Sequence, residues 1–223
     1  MPAHAVETSN RTSVSLTLAV LQFFVIEFLV AGTWRGQYSY SANSISDLGV
    51  PFCGADGNEP CSATSLIIDA AFVTVGIAFV VAALLWYRAY RLHPLVPSVF
   101  LLVAGIGGVV VGLTPANTHW DVHSLGVTLF VLFGSLFTLT AAFHVQPQMS
   151  GPAPYVALAL GVLGLVGYIS LTHSWDLGLG TGGIERVGAY SILLGFIVCV
   201  HLMTQLHSVR RASVVLVGGV TGE

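Results

Sequence analysis

Apolar residues fill six long runs of this chain, at approximately 13–33, 65–87, 96–114, 121–143, 154–172 and 185–207. A segment that crosses a hydrocarbon core of about 30 Å needs about 20 predominantly apolar residues, and every run comes near that length. In lipid the backbone N–H and C=O groups have no water to bond, so such runs form either helices or the strands of a closed barrel. Their unbroken apolarity, without alternation, excludes the barrel. The expected fold is therefore all-α: a polytopic bundle of six transmembrane helices over 13–207, between an N-terminal segment, 1–12, and a tail, 208–223. Composition agrees, with 55% hydrophobic and 8% charged residues against about 25% charged in a soluble domain. The first run is longer than the roughly 7 to 15 apolar residues of a secretory signal and contains Glu27, so it is expected to stay attached.

The seven basic residues are all arginines. With six spans, the N-terminus, the second and fourth loops and the C-terminus share a side. That side holds Arg11, Arg88, Arg91, Arg210 and Arg211, and the other holds Arg35 and Arg186. The excess of positive charge predicts that both termini are cytoplasmic. Cys53 and Cys61, in "CGADGNEPC", then fall outside, where a disulfide can persist; they read as a bridge stapling that loop or as two reduced thiols. Cys199, inside the last span, reads as a small packing residue.

No second domain, internal repeat or charge run is visible. The cytoplasmic connections "RAYRLHPLVP" and "HVQPQMSGPAP" carry the Pro and Gly that end helices, and "VVLVGGV" in the tail is too short to cross. Small residues recur at near-helical intervals: Ala104, Gly108 and Gly112; Gly161, Gly164 and Gly167; Ser191, Gly195 and Cys199. Such rows let helix backbones approach in lipid, and they read as seams within the bundle rather than as a dimer face.

The ionisable residues gather at one depth. Glu27 lies in the outer half of the first span, Asp69 near the outer start of the second, Asp121 and His123 at that of the fourth, and Glu185 and Arg186 at that of the sixth. Arg35, Asp47, His119, His173 and Asp176 lie in the outer loops. Charge inside a membrane costs several kcal/mol on insertion scales, so these groups are expected to face the bundle interior and find partners. Asp69, four residues after Ser65, also reads as a first-turn acid favoured by the helix dipole.

In "NTHWDVHS", His119 and His123 stand one helical turn apart, a spacing at which two imidazoles reach one divalent ion such as zinc. A third ligand would come from His173, Glu27, Asp47 or Asp69. A helix opening at Asn117 or Thr118 keeps the pair together; a later start leaves His119 in a loop. The alternatives are interfacial histidines, or one buried histidine bonded to a carboxylate. Arg186, after the glycine-rich "GTGGIER", pairs with Asp47, Asp69 or Glu27, or holds a ligand anion. No phosphate loop, dinucleotide fingerprint, CxxC pair or nucleophile elbow is present.

The stretch "GQYSYSANSISDLGVP" resembles the signature of a family of bacterial integral membrane proteins, domain of unknown function 998. There a tyrosine-containing segment leads into Ile-Ser-Asp/Glu-Leu-Gly, here Ile45, Ser46, Asp47, Leu48 and Gly49. Pro115 with His123, and Glu185 with Arg186, are similar to its later elements, so that the likeness covers about 15–207. The resemblance implies a six-helix protein of the plasma membrane without an established activity, and a shared polar cluster of Asp47, His123, Glu185 and Arg186. His119 and the Cys53/Cys61 segment have no counterpart in that pattern.

Two functions follow as expectations. One is a membrane-embedded enzyme acting on a lipid or isoprenoid-like molecule, with Asp47, Glu27 or Glu185 as acid or base and His123 as proton carrier or metal ligand. Arg186, Ser46 and Asp69 would bind the substrate. The other is a non-catalytic lipid or small-molecule binder, a transporter or a partner subunit. Membrane lipids are the expected partners in both, and nucleic acid in neither.

Overall fold

The elements run, in a computed structural model, as α1 (Ala3–Gly32), α2 (Ile45–Leu48), β1 (Phe52–Cys53), β2 (Glu59–Pro60), α3 (Ser65–Ala89), α4 (Leu95–Leu113), α5 (Trp120–Val145), α6 (Ala153–Thr172) and α7 (Gly180–Val220). The structure describes residues 3–54, 59–89, 95–145 and 151–220. Residues 90–94, with Arg91 and Pro94, residues 146–150, with Pro147, and tail residues 221–223 lie outside the described residues.

Among the described residues, six helices are long and apolar enough to cross a membrane: α1 and α3 to α7. Two of them overrun the apolar runs that announce them. α1 begins at Ala3 and α7 continues through 208–220. Hydropathy marks the lipid-facing part of a helix, whereas the helix itself propagates one hydrogen bond per residue until a breaker stops it. Breakers do act elsewhere: Pro115 opens the turn after α4, its carbonyl accepting from the Thr118 amide at 3.1 Å, and Pro152 precedes α6.

Each span packs against its neighbours in sequence, and α7 closes the bundle by touching α1, α5 and α6. With no hydrophobic drive between helices in lipid, close approach and dispersion have to supply the cohesion. At the α3–α4 seam a Cβ on Gly105 would come within 2.7 Å of the Gly76 carbonyl oxygen, which explains why glycine faces glycine there. The rows in α4, α6 and α7 are buried along their whole length. Beside them runs an aromatic column through α3, α5 and α7: Phe79 stacks on Phe196 at 4.4 Å and on Phe130 at 5.8 Å, and Trp86 on Phe137 at 5.5 Å.

The alternation of the helices brings the α1–α3, α4–α5 and α6–α7 connections to the same end. The first connection carries α2 and the short antiparallel β1–β2 pair. A disulfide joins Cys53 to Cys61, whose Cα atoms are 5.9 Å apart. The Cys61 carbonyl accepts from the Arg35 amide at 2.9 Å, which ties the far limb of the hairpin to the end of α1.

Candidate functional site

The sequence "SISD" builds its own short helix. The Ser44 hydroxyl accepts from the Asp47 amide at 3.0 Å, and the Asp47 carboxylate accepts from the Ser44 amide at 2.8 Å. This is a reciprocal cap, in which each side chain satisfies an amide that the first turn leaves free. The remaining amides at the start of α2 are met from across the fold. Glu185, on α7, accepts from the Ile45 amide at 2.7 Å and the Ser46 amide at 3.3 Å, and its Oε1 lies 2.7 Å from the Ser46 hydroxyl oxygen.

The loop before α2 is held on the start of α7 by backbone contact. Gly182 and Gly183 donate to the Ser41 carbonyl at 2.9 and 3.3 Å. A Cβ on Gly182 would collide with the Asn43 carbonyl, so the glycine-rich turn is what allows the loop to lie so close. Arg186 completes the clamp: Nη1 donates to the carbonyls of Tyr40 (2.7 Å), Asn43 (2.9 Å) and Gly182 (2.9 Å), and Nη2 to the Tyr38 hydroxyl at 2.5 Å. Its Nε donates to Glu27 at 3.0 Å, and the Tyr190 hydroxyl donates to the other Glu27 oxygen at 2.7 Å. The Tyr40 ring lies 4.7 Å from the guanidinium carbon, within cation–π reach. Burial pushes the Tyr38 phenol pKa above its ordinary value, although the nearby guanidinium acts the other way.

His123, 3% exposed, is held at both nitrogens: Nδ1 lies 2.7 Å from the Thr114 carbonyl and Nε2 lies 3.1 Å from the Ser46 hydroxyl. A carbonyl can only accept, so Nδ1 carries a proton. The Ser46 hydroxyl has a single hydrogen and cannot serve Glu185 and His123 together. Either Glu185 is protonated and donates to Ser46, which donates to His123, or His123 holds a second proton, donates to Ser46, and Ser46 donates to Glu185. Both arrangements contain the same number of protons and have zero net charge. The three groups thus form a relay through which one proton can pass.

This relay stands in the wall of a cavity of about 380 Å³ between α2 and the adjoining ends of α5, α6 and α7. Ser124 and Thr128 on α5, Tyr168 and Thr172 on α6, and Asp47 also line it, while most of the exposed wall is carbon. A mostly apolar hollow with a few converging polar groups is the usual form of a small-molecule site.

The structure therefore brings together Ser46, Asp47, His123 and Glu185, and separates the other candidates from them. Glu27 and Arg186 form a second, buried centre with Tyr190. Asp69 is buried beneath Gly49, where an added Cβ would strike its carboxylate. His119 falls in the turn before α5 and is exposed, because that helix starts at Trp120. Its link to His123 is through the backbone, the His123 amide donating to the His119 carbonyl at 2.9 Å. Among the described residues no three His, Cys, Asp or Glu side chains converge as metal ligands, and both nitrogens of His123 are already engaged by oxygen partners.

Sequence reading missed three contributors. The Ser-x-x-Asp spacing of Ser44 and Asp47 is a visible capping signal. Tyr190 stands one turn after Arg186, a spacing that already places both on one face. The Thr114 carbonyl, as a backbone group, leaves no signal at all.

Residues 17–202 match the family described as "Protein of unknown function (DUF998)". The chain belongs to that family. No curated protein and no solved structure shows a match to it. The Ile45–Gly49 stretch of this DUF998 protein thus acquires a physical role, since it makes the capped turn that presents Ser46 to His123 and Glu185. With six candidate spans in one chain, it is a multi-pass membrane protein.

Proposed function

We propose that this protein is a membrane-embedded enzyme that cleaves or transfers an ester of a lipid-like molecule, with Ser46 as nucleophile. The observation that carries the reading is the Ser46 hydroxyl, 3.1 Å from His123 Nε2, in the wall of a largely apolar cavity. A serine becomes a nucleophile when an adjacent base takes its proton and a third group fixes that base. His123 supplies the base, and the Thr114 carbonyl fixes the imidazole as a buried acid does in a serine–histidine–acid triad.

In this reaction Ser46 Oγ bonds to the ester carbonyl carbon as its proton moves to His123 Nε2. The tetrahedral adduct collapses, the carbon–alkoxide bond breaks, and His123 returns the proton to the departing alcohol. Water or a second alcohol then repeats the steps on the acyl-serine and frees Ser46. Glu185 holds α2 in place through its two amide contacts and stabilises the relay proton. The Ser124 hydroxyl, which lines the cavity, supplies a donor toward the developing oxyanion. Asp47 shapes the turn, and Arg186 positions the loop rather than a substrate anion. The arginine excess on the side of the termini supports a cytoplasmic location for both, and hence a site at the outer face of the plasma membrane, which reporter fusions to the C-terminus would check.

The test is labelling of the protein in native membranes with a fluorophosphonate, followed by peptide mass spectrometry. Adduct on Ser46 in the parent chain, lost in Ser46→Ala and in His123→Ala, is the expected result. An unlabelled Ser46 together with no turnover of any acyl ester overturns the enzyme and leaves the cavity as a binding site.

A further inference from the structure

Among the described residues no arginine or lysine lines the cavity, whereas two acids, Asp47 and Glu185, do. The guanidinium of Arg186, next in sequence to Glu185, is turned into the loop carbonyls and Glu27. The Ser46–His123–Glu185 relay is neutral overall in both of its proton arrangements. Asp47 therefore remains as the acid of the wall without a cationic partner among the lining residues.

From this we infer that the site accepts an amphiphile with an uncharged, hydroxyl-bearing head, of the monoacylglycerol class, and rejects anionic heads. The inference rests on the esterase reading above and names its substrate class. A phosphate or carboxylate head entering a largely apolar hollow would lose water, find no cation and face a like charge, which disfavours it. A hydroxyl head is matched instead, because Ser124, Thr128 and Thr181 line the cavity with groups that both donate and accept. A cationic head would meet the Asp47 charge, one of whose oxygens the Ser44 amide holds, but would have to give up its water to a wall that is mostly carbon.

Size agrees with this class. At about 30 Å³ for a water-sized group, a cavity of about 380 Å³ holds on the order of a dozen non-hydrogen atoms, a glycerol ester and the first carbons of its chain. Val127 on α5 and Leu171 on α6 give those first carbons an apolar wall.

The experiment uses the whole protein in nanodiscs and acyl compounds of equal chain length: a monoacylglycerol, a lysophosphatidic acid, a free fatty acid and an acylcholine. Binding is read by native mass spectrometry and turnover by release of fatty acid. The expected result is preference for the monoacylglycerol over both anionic compounds by about tenfold or more, narrowing in Asp47→Asn, which keeps an acceptor for the Ser44 amide. Equal or tighter binding of an anionic compound, or tightest binding of the acylcholine, overturns the inference. So does discrimination that persists undiminished in a folded Asp47→Asn. Preferential binding of the monoacylglycerol without cleavage upholds the ligand class and refutes the esterase; cleavage of lysophosphatidic acid in preference to the glycerol ester does the reverse.

Discussion

Glu185 and Arg186 are neighbours in sequence, yet they organise two different polar centres. Successive helix residues point about 100° apart, so α7 sends one side chain toward α2 and the next toward α1. The Arg186 centre is closed: Glu27 is 1% exposed, and the guanidinium is shared among a carboxylate, a phenol and three carbonyls. The Glu185 centre is open on one side to a cavity, and its hydrogen bonds leave a proton with two places to reside. The lesson is that a buried ion pair fixes a scaffold, while a hydroxyl held between an acid and a base leaves something to be moved.

The contrast breaks most visibly at Arg186. Arg186→Leu strands the Glu27 carboxylate in the interior and should cost roughly 3–5 kcal/mol, measured by denaturant unfolding in detergent. Adding Glu27→Leu should recover much of that loss; strictly additive losses would show that the two side chains act independently. At the other centre the damage should fall on chemistry. Glu185→Gln keeps an acceptor for the α2 amides but cannot share the proton, so ester turnover should drop by roughly 10²–10⁴-fold, with a stability loss of only about 1–2 kcal/mol. Equal damage to stability at both positions would erase the distinction.

Two smaller effects sharpen it. Ser44→Ala removes one half of the cap on α2 and should cost about 1 kcal/mol, seen as a lower unfolding midpoint and as slower labelling of Ser46. The Tyr38 phenol gives a pH signature of the Arg186 centre. Its folded pKa is raised by burial, so its contribution is complete below the ordinary tyrosine value and declines as pH rises above it, where the unfolded chain ionises first. Ultraviolet titration should show tyrosines resisting ionisation, and Tyr38→Phe should lower their number by one; an unchanged number would locate the resistance elsewhere.

Much of the fold was legible because lipid imposes it. An apolar run near 20 residues has few alternatives to a helix, and the small-residue rows announce where backbones touch, as Gly108 does against Gly76. The site was legible only as an inventory. Ser46, Asp47, His123 and Glu185 could be named from their types, but their roles could not, since Asp47 is spent on a cap and Ser46 holds the centre of the relay. The likeness of His119 and His123 as a pair depended on a helix start that the turn after Pro115 delays to Trp120.

Sequence by itself determined that six helices would have to cross a bilayer and that their few charges would gather near one end, because hydration and backbone hydrogen bonding leave no other solution for such residues. Tertiary structure alone decided which acid met which base. Glu27 and Arg186 are 159 positions apart, and Ser46 and His123 are 77 apart. A hydrogen bond is made or lost over a few tenths of an ångström, and that precision arises only when α1, α2, α5 and α7 have packed.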